Sequence, residues 1–114
     1  MRQPTFFDNE KATGDADVER LVLYALGEFQ ARGKALAERD LPLDRLRGAL
    51  RRAADALGVE QLADEAAVAA FGRLGAQVRR VPAFVAKHPF RITVPSKLAE
   101  RALALYKEQD ATER

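Results

Sequence analysis

The spacing of apolar residues along the chain predicts a mostly helical protein. After Asp17, six apolar side chains recur at the intervals of one helix face: Val18, Leu21, Val22, Ala25, Phe29 and Leu36. Asp15 or Asp17 is expected to cap this first helix by accepting backbone N–H bonds, and Leu41-Pro42 is expected to end it. The pattern therefore predicts one long helix over most of the first forty residues.

A second helix is predicted from about Leu43 to Leu57, where leucines and alanines again follow helical spacing. Gly58 is well placed to end this helix in the left-handed conformation, and Val59 is expected to close a hydrophobic contact behind that cap. Because a third helix is predicted to follow almost at once, the two helices are expected to form an antiparallel or sharply angled pair.

The third helix is predicted from about Glu60 to Val81, with an apolar stripe that includes Phe71 and Val78. Gly72 and Ala76 are four residues apart and therefore lie on one side of this helix. Because both residues are small, they are expected to let another backbone approach closely.

Prolines interrupt the helical pattern after Val81. Residues 90–94 (Phe-Arg-Ile-Thr-Val) alternate between apolar and polar side chains, which is the period of a half-buried strand. A single strand leaves its backbone N–H and C=O groups without hydrogen-bond partners, so the sequence leaves three alternatives open. The segment pairs with an N-terminal arm that contains Phe6-Phe7, pairs with a second copy of the chain, or is not a strand. A last helix is predicted from Pro95 or Ser96 to about Gln109.

The expected fold class is mostly α, a small bundle of about four helices with one short extended segment near 90–94. Residues 1–14 show no helical period and are expected to form an irregular arm, whereas residues 15–114 are expected to form a single helical domain. A length of 114 residues suits one domain with a modest core. The apolar stretches are too short for a membrane helix and the N-terminus lacks a signal-peptide core, so a cytoplasmic location is expected.

Residue types that carry catalysis are scarce in this chain, which has no cysteine and one histidine. His88 precedes a proline in a predicted turn, and Ser96 occupies a predicted helix N-cap, so the structural interpretation of both is favoured over a Ser–His pair. Glu60 and Asp64, like the acids near residue 17, are expected to complement the positive ends of helices. We therefore expect a protein that is not an enzyme and that uses no cofactor and no metal.

The net charge of +2 is distributed unevenly along the chain. Residues 66–99 contain no acid, which lowers the cost of approaching a polyanion. On the predicted third helix, Arg73, Gln77 and Arg80 would share one side, while Arg79 and Arg80 would also favour the negative end of the helix. The candidate nucleic-acid-binding residues are basic and predicted to be exposed: Arg45, Arg52, Arg73, Arg80, Lys87, Arg91 and Lys97. DNA and RNA are both candidate partners.

Two short segments resemble DNA-binding motifs. The run 53–60 (Ala-Ala-Asp-Ala-Leu-Gly-Val-Glu) resembles the first helix and turn of a helix-turn-helix motif, although Asp64 occupies the position of a branched apolar residue. The run 91–101 resembles the strand and first helix of ribbon-helix-helix repressors, although the motif's second helix has no counterpart before Arg114. The second resemblance implies that the strand pairs across a dimer and that Arg91 and Thr93 face the DNA groove.

The alternative function is a protein–protein interaction module or a homo-oligomeric scaffold that does not bind nucleic acid. Leu23, Tyr24 and Leu103 lie off the main apolar stripes of their predicted helices, so they are candidates for a protein interface. An unpaired strand at 90–94 would invite completion across a homodimer. The two hypotheses differ in their response to salt, because only nucleic-acid binding should weaken steeply as salt is added.

Overall fold

The structure of the chain, a computed structural model, describes residues 14–82 and 90–113, with side chains described over 17–82 and 90–109. In chain order its elements are α1 (Gly14–Ala31), β1 (Asp40–Pro42), α2 (Leu43–Leu57), α3 (Asp64–Leu74), β2 (Gln77–Arg80), β3 (Phe90–Thr93) and α4 (Ser96–Glu113). The predicted mostly α class with four helices is confirmed for this part of the chain. The single extended segment that the sequence predicted is one strand of a small three-stranded sheet.

Helix α1 is the centre of the fold. Every residue from Leu21 to Phe29 is buried, because α2, α3 and α4 all pack against this helix. The burial includes Leu23 and Tyr24, which lie off the stripe that the sequence predicted. A helix that is covered on several sides needs apolar residues around its circumference. The prediction that α1 extends to Leu36 is wrong, since the helix ends at Ala31 and Leu36 enters the core from the following loop.

The packing of α4 on α1 depends on Gly27. A methyl group at this position would overlap Cβ of Tyr106 and the backbone carbonyl oxygen of Ala102. One turn away, the rings of Tyr24 and Tyr106 meet edge to face, with their centroids 5.0 Å apart. The predicted close approach at Gly72 and Ala76 is wrong, because no atom of another element lies within 4 Å of a Cβ built on Gly72.

Helix α2 has the limits that the sequence predicted. Gly58 adopts the left-handed conformation (φ 70°), and the Val59 N–H donates to the Ala54 carbonyl at 2.9 Å, which closes the end of the helix. Val59 itself is 48% exposed, so any hydrophobic contact behind the cap leaves about half of this residue in solvent. Residues 58–63 separate α2 from α3, and the two helices pack on α1 instead of along each other.

Helix α3 is much shorter than predicted. It begins at Asp64 and ends at Leu74, because Gly75 takes a φ of 104°, a backbone conformation that residues other than glycine rarely adopt. The chain then reverses into β2. The prediction of a helix from Glu60 to Val81 is therefore wrong, and so is the placement of Gln77, Arg79 and Arg80 on a helix face.

The strand at 90–93 is confirmed, but its predicted pairing is wrong in all three alternatives. β3 is the central strand of an antiparallel sheet with the order β1-β3-β2. Ile92 pairs with Leu41 on one side and with Val78 on the other. Because both edges of β3 are satisfied within the chain, the strand is not available to complete a sheet across a dimer in the manner of ribbon-helix-helix proteins.

The sheet and all four helices contribute to one hydrophobic core, whose largest fully buried side chains include Phe71, Leu26 and Ile92. None of the described helices combines the length with the apolar composition that a transmembrane span requires. The predicted arm with Phe6-Phe7, and the candidates Lys87 and His88, lie outside the described residues.

Candidate nucleic-acid interface

The solvent-facing side of the sheet carries polar and charged residues from all three strands. Successive side chains of a strand point to opposite faces. Ile92 is fully buried, so its neighbours Arg91 and Thr93 face outwards and are half-buried. We call this surface the outer face, and its members are Asp40, Gln77, Arg79, Arg91 and Thr93.

Two arginines lie directly opposite each other on the outer face. Arg79 of β2 is the cross-strand partner of Arg91 of β3. Like charges in this position destabilise a sheet. The repulsion is relieved by Asp40, whose Oδ2 accepts hydrogen bonds from Nη2 of Arg79 at 2.9 Å and from Nε of Arg91 at 3.3 Å. Nη2 of Arg91 also donates to the Asp40 backbone oxygen at 3.2 Å. One carboxylate thus holds two guanidinium groups, which leaves a local charge of one positive unit.

The other arginine of β2, Arg80, has a different environment. Arg80 is paired with Phe90 across the ribbon, and its guanidinium carbon lies 5.0 Å from the centre of the Phe90 ring. This geometry is a cation–π contact. The aromatic face neutralises no charge, and the described residues include no carboxylate partner for Arg80, so within them its guanidinium is restrained but available to an anion. Phe90 itself is buried, so it does not offer a stacking surface to a base.

Arg52, predicted to be exposed for nucleic-acid binding, belongs to a partly buried ion-pair cluster. Its Nε and Nη2 bind the two carboxylate oxygens of Glu28 at 2.7 and 2.9 Å, and Nε of Arg32 donates to the same carboxylate at 2.7 Å. Burial raises the pKa of Glu28, but hydrogen bonds and positive charge from the two arginines outweigh it, so the pKa lies below its ordinary value. The Glu28 carboxylate raises the pKa of Arg52 in turn. Arg52 therefore stabilises the packing of α2 on α1.

Arg73 is also paired with an acid from a distant part of the sequence. Its Nε donates to Oε2 of Glu19 at 2.8 Å, which joins the last turn of α3 to α1. Together with Asp40, Glu19 shows that the acid-free segment 66–99 is not surrounded only by bases once the chain is folded. The absence of acids from segment 66–99 in the sequence therefore overstates the net positive charge around this segment in the folded protein.

Arg45 and Lys97 are exposed, and the described residues include no ion-pair partner for either. Arg45 lies in the first turn of α2, which begins at the residue after β1. Lys97 lies in the first turn of α4, where it lines a shallow groove with Leu74 and Arg101. The predicted basic residues therefore do not form one continuous patch. Arg45 is close in sequence to the β1 edge of the outer face, whereas Lys97 belongs to a different groove.

Sequence reasoning missed two members of the outer face. The helical spacing of its segment predicts Arg79 at the end of a helix, whereas the alternation of Gln77, Val78 and Arg79 is a competing signal for a strand. Asp40 gave no signal at all, because its importance depends on the pairing of β1 with β3. The register of a sheet brings together residues that are far apart in sequence, and local periodicity does not contain that information.

The candidate interface residues of the alternative hypothesis are mostly internal. Leu23 and Tyr24 are 5% and 8% exposed and pack in the core, so they are not accessible to a partner, and Leu103 is half-buried beside the loop after α1. An apolar groove of about 330 Å³ lies elsewhere, between the start of α1 and the α2–α3 connection. Its lining includes Val18 and the exposed Val59.

Ser96 has a structural role in the described part of the chain. Its backbone N–H and its hydroxyl both donate to Oε2 of Glu38, at 2.7 and 3.3 Å, so a carboxylate occupies the positive end of α4. Glu38 has a positive φ of 60° and is held there by an N–H bond to the Val94 carbonyl. Within the described ranges, no group of three His, Asp or Glu side chains is placed to hold a metal ion.

The outer face carries two guanidinium groups against one carboxylate, beside the neutral polar groups of Gln77 and Thr93, so its excess positive charge suits an anion. Arginine forks bind the oxygens of carboxylates and phosphates in pairs. Comparison of the chain with protein-family models, with curated proteins and with solved structures gives no significant match.

Proposed function

We propose that this protein binds nucleic acid in the cytoplasm, without enzymatic activity, mainly through contacts with the phosphate backbone. The observation that carries the proposal is the pair Arg79 and Arg91 on the outer face, which are directly opposite and share a single carboxylate. Two cations and one anion leave an excess positive charge where phosphate oxygens would be attracted. Arg79 has a 64% exposed side chain, so its donors are accessible.

The start of α2 supports the same class of ligand. Pro42 pairs with Arg91 at the edge of the sheet and is followed at once by α2, whose first turn contains Arg45. The N-cap residue of this helix, Pro42, makes no capping hydrogen bond through its side chain, and the first turn also contains the acid Asp44. Helix N-termini attract phosphate through their first backbone N–H groups and through the helix dipole. The start of α2 therefore lies next to Arg91 in the sheet register and carries Arg45 in its first turn.

The order of the elements also favours this proposal. Two helices joined by a turn, α2 and α3, are followed by the antiparallel strands β2 and β3. This order of elements is also that of a winged helix-turn-helix, although α2 and α3 pack on α1 instead of on each other. A helix or a two-stranded ribbon fits the major groove of DNA. The α2–α3 connection at 58–63 is longer than the usual turn, and topology alone does not determine function, so the arginine pair carries the argument.

The exposed side of α3 predicts binding with little sequence preference. In a helix-turn-helix protein the second helix reads base edges with long polar side chains. On α3 this side consists of Glu65, Ala69 and Gly72, with Arg73 at its margin engaged by Glu19. Small side chains and an acid offer few donors to base edges. We therefore propose contacts to phosphates as the main source of affinity.

The test is fluorescence anisotropy with labelled double-stranded and single-stranded oligonucleotides over a salt series. We expect duplex binding at about 50 mM salt that weakens steeply as salt is added. The double variant R79A/R91A should bind more weakly and should reduce the slope of log K against log salt by about 1, because the two guanidinium groups contact one phosphate together.

The matched control is K107A/K34A, which removes the same charge from two exposed lysines outside the outer face. This control should retain most of the affinity and most of the slope. Failure of the natural protein to bind either oligonucleotide at about 50 mM salt contradicts the proposal. Equal losses in the two double variants contradict the assignment of binding to the outer face.

A protein-binding module is the second candidate function, and the exposed Val59 favours it. Val59 continues an apolar groove that Val18 and Leu62 also line, and a contiguous exposed apolar surface is a feature of protein interaction sites. A stoichiometric complex with a protein, unaffected by salt and lost in V59D, would support this function. The nucleic-acid proposal predicts no such salt-independent complex.

A further inference from the structure

The hydrogen bonds of Asp40 resemble those that a phosphate would make on the outer face. One oxygen of Asp40 accepts from Arg79 and from Arg91, at 2.9 and 3.3 Å. Planar guanidinium groups bind carboxylate and phosphate oxygens with the same donors and similar geometry. The two arginines therefore cannot give all their donors to a phosphate while they remain bound to Asp40.

The exposure of the three side chains makes such an exchange feasible. The Asp40 side chain is 43% exposed, and those of Arg79 and Arg91 are 64% and 32% exposed. Ion pairs with this exposure are weak, because water and salt screen them. A second anion can therefore replace the carboxylate without disturbing the core.

We infer that Asp40 is an internal competitor of the phosphate ligand, which lowers the affinity of the outer face for nucleic acid. This inference rests on the proposed function and assigns to Asp40 the control of how tightly the outer face binds nucleic acid. In the free protein Asp40 holds Arg79 and Arg91 together. In the complex a phosphodiester oxygen takes the place of its Oδ2, and Asp40 turns towards solvent.

The decisive variant is D40N, which removes the negative charge but keeps a side chain of the same shape. We expect D40N to bind a labelled duplex roughly three- to fivefold more tightly than the natural protein at about 100 mM salt. The salt dependence should also become steeper, because more of the arginine charge is available to release counterions. Measurement is by anisotropy, after circular dichroism and a melting curve show that D40N and the second variant D40A are folded.

The control must separate local competition from the general gain of one positive charge. E100Q makes the same charge change at an exposed position of α4, and the described residues include no ion-pair partner for Glu100. We expect E100Q to raise affinity less than D40N does. Equal gains in the two variants overturn the inference, and so does weaker binding by D40N, which would mean that Asp40 positions the arginines for the ligand.

A second measurement distinguishes failure of this inference from failure of the proposed function. Inorganic phosphate is added during thermal unfolding, with chloride at equal ionic strength as the reference. We expect phosphate to raise the Tm of D40N more than that of the natural protein, E100Q or D40N/R79A. If no protein binds an oligonucleotide but D40N shows this selective gain, the proposed function is wrong and the phosphate site remains. If D40N shows no selective gain, the phosphate site is wrong.

Discussion

Three of the arginines that the sequence marks as nucleic-acid-binding candidates are paired with acids from distant parts of the chain. Arg52 is bound by Glu28, and Arg73 is bound by Glu19. Arg91 shares Asp40 with Arg79, which the sequence did not single out as a ligand. These pairings decide which basic side chains can meet a polyanion, since a guanidinium with a close carboxylate offers less net charge than its count suggests.

Glu28 carries the clearest pH dependence among the described residues. Its pKa in the folded protein is lower than the ordinary value of 4.5, so folding favours the ionised carboxylate. The ionised Glu28 carboxylate therefore stabilises the folded state above pH 4.5, and this contribution is lost as the pH falls through the lower pKa of the folded protein. We expect E28Q to reduce the free energy of unfolding by about 1–2 kcal/mol at pH 7, and by much less near pH 3. Urea unfolding across this pH range measures both values.

The expected loss is smaller than for a fully buried pair, because the side chains of Arg52 and Arg32 are 41% and 53% exposed and can turn towards water. The control is E60Q in the α2–α3 connection, where the glutamate is exposed and the described residues show no ion pair for it. A difference between natural protein and E28Q that is independent of pH contradicts the role assigned to the carboxylate.

At the scale of the elements, α1 and α4 meet through a contact that hydrophobic spacing does not reveal. The sequence identifies the apolar stripes of both helices, but it does not show that Gly27 is the point of closest approach. Glycine is disfavoured within helices, so its presence in the most buried helix needs a packing reason. A close approach of another backbone is also predicted at Gly72, but it does not occur, because Gly72 faces solvent.

We expect G27A to destabilise the protein by about 2–3 kcal/mol, because the new methyl group meets the Ala102 carbonyl and the Tyr106 Cβ and forces α4 away from α1. The matched control is G72A, also within a helix but with open space around the new methyl group. G72A should be neutral or stabilising by up to about 1 kcal/mol, because alanine favours the helix. Chemical unfolding with circular dichroism provides the comparison. Similar effects of the two substitutions would contradict the close α1–α4 contact.

For the molecule as a whole, the sequence predicts the fold class better than the arrangement. Helix α2 and strand β3 follow from local periodicity, because their residues repeat with a single period between clear end signals. The boundary between α3 and β2 does not, since Phe71, Leu74 and Val78 satisfy helical spacing although Gly75 ends the helix. The sheet partners of β3 are also hidden, because β1 has only three residues and its pairing is non-local.

For the candidate site, too, the sequence shows the residue types but not their arrangement in space. The absence of acids from 66–99 is visible in the sequence and is what makes Arg91 a candidate. However, the outer face also needs Asp40, which is about fifty residues distant in sequence and is brought next to Arg91 by the β1–β3 register. Residue types and local period are properties of the sequence alone, whereas an electrostatic surface is a property of the folded chain.

The central position of α1 leads to a prediction about cooperativity. Because α2, α3 and α4 all cover this helix, its amides between Leu21 and Phe29 cannot reach solvent unless those helices separate. We expect these amides to exchange hydrogen only through global unfolding, with exchange free energies equal to the free energy of unfolding. Amides of β1, a three-residue edge strand, should exchange through local opening at much lower cost.

Native-state hydrogen exchange in a denaturant series measures the exchange free energies of both groups of amides. G27A should lower the α1 values by the same amount as the free energy of global unfolding, while leaving the β1 values almost unchanged. Exchange of α1 and β1 at one common low free energy would mean that α1 is not the cooperative centre of the fold.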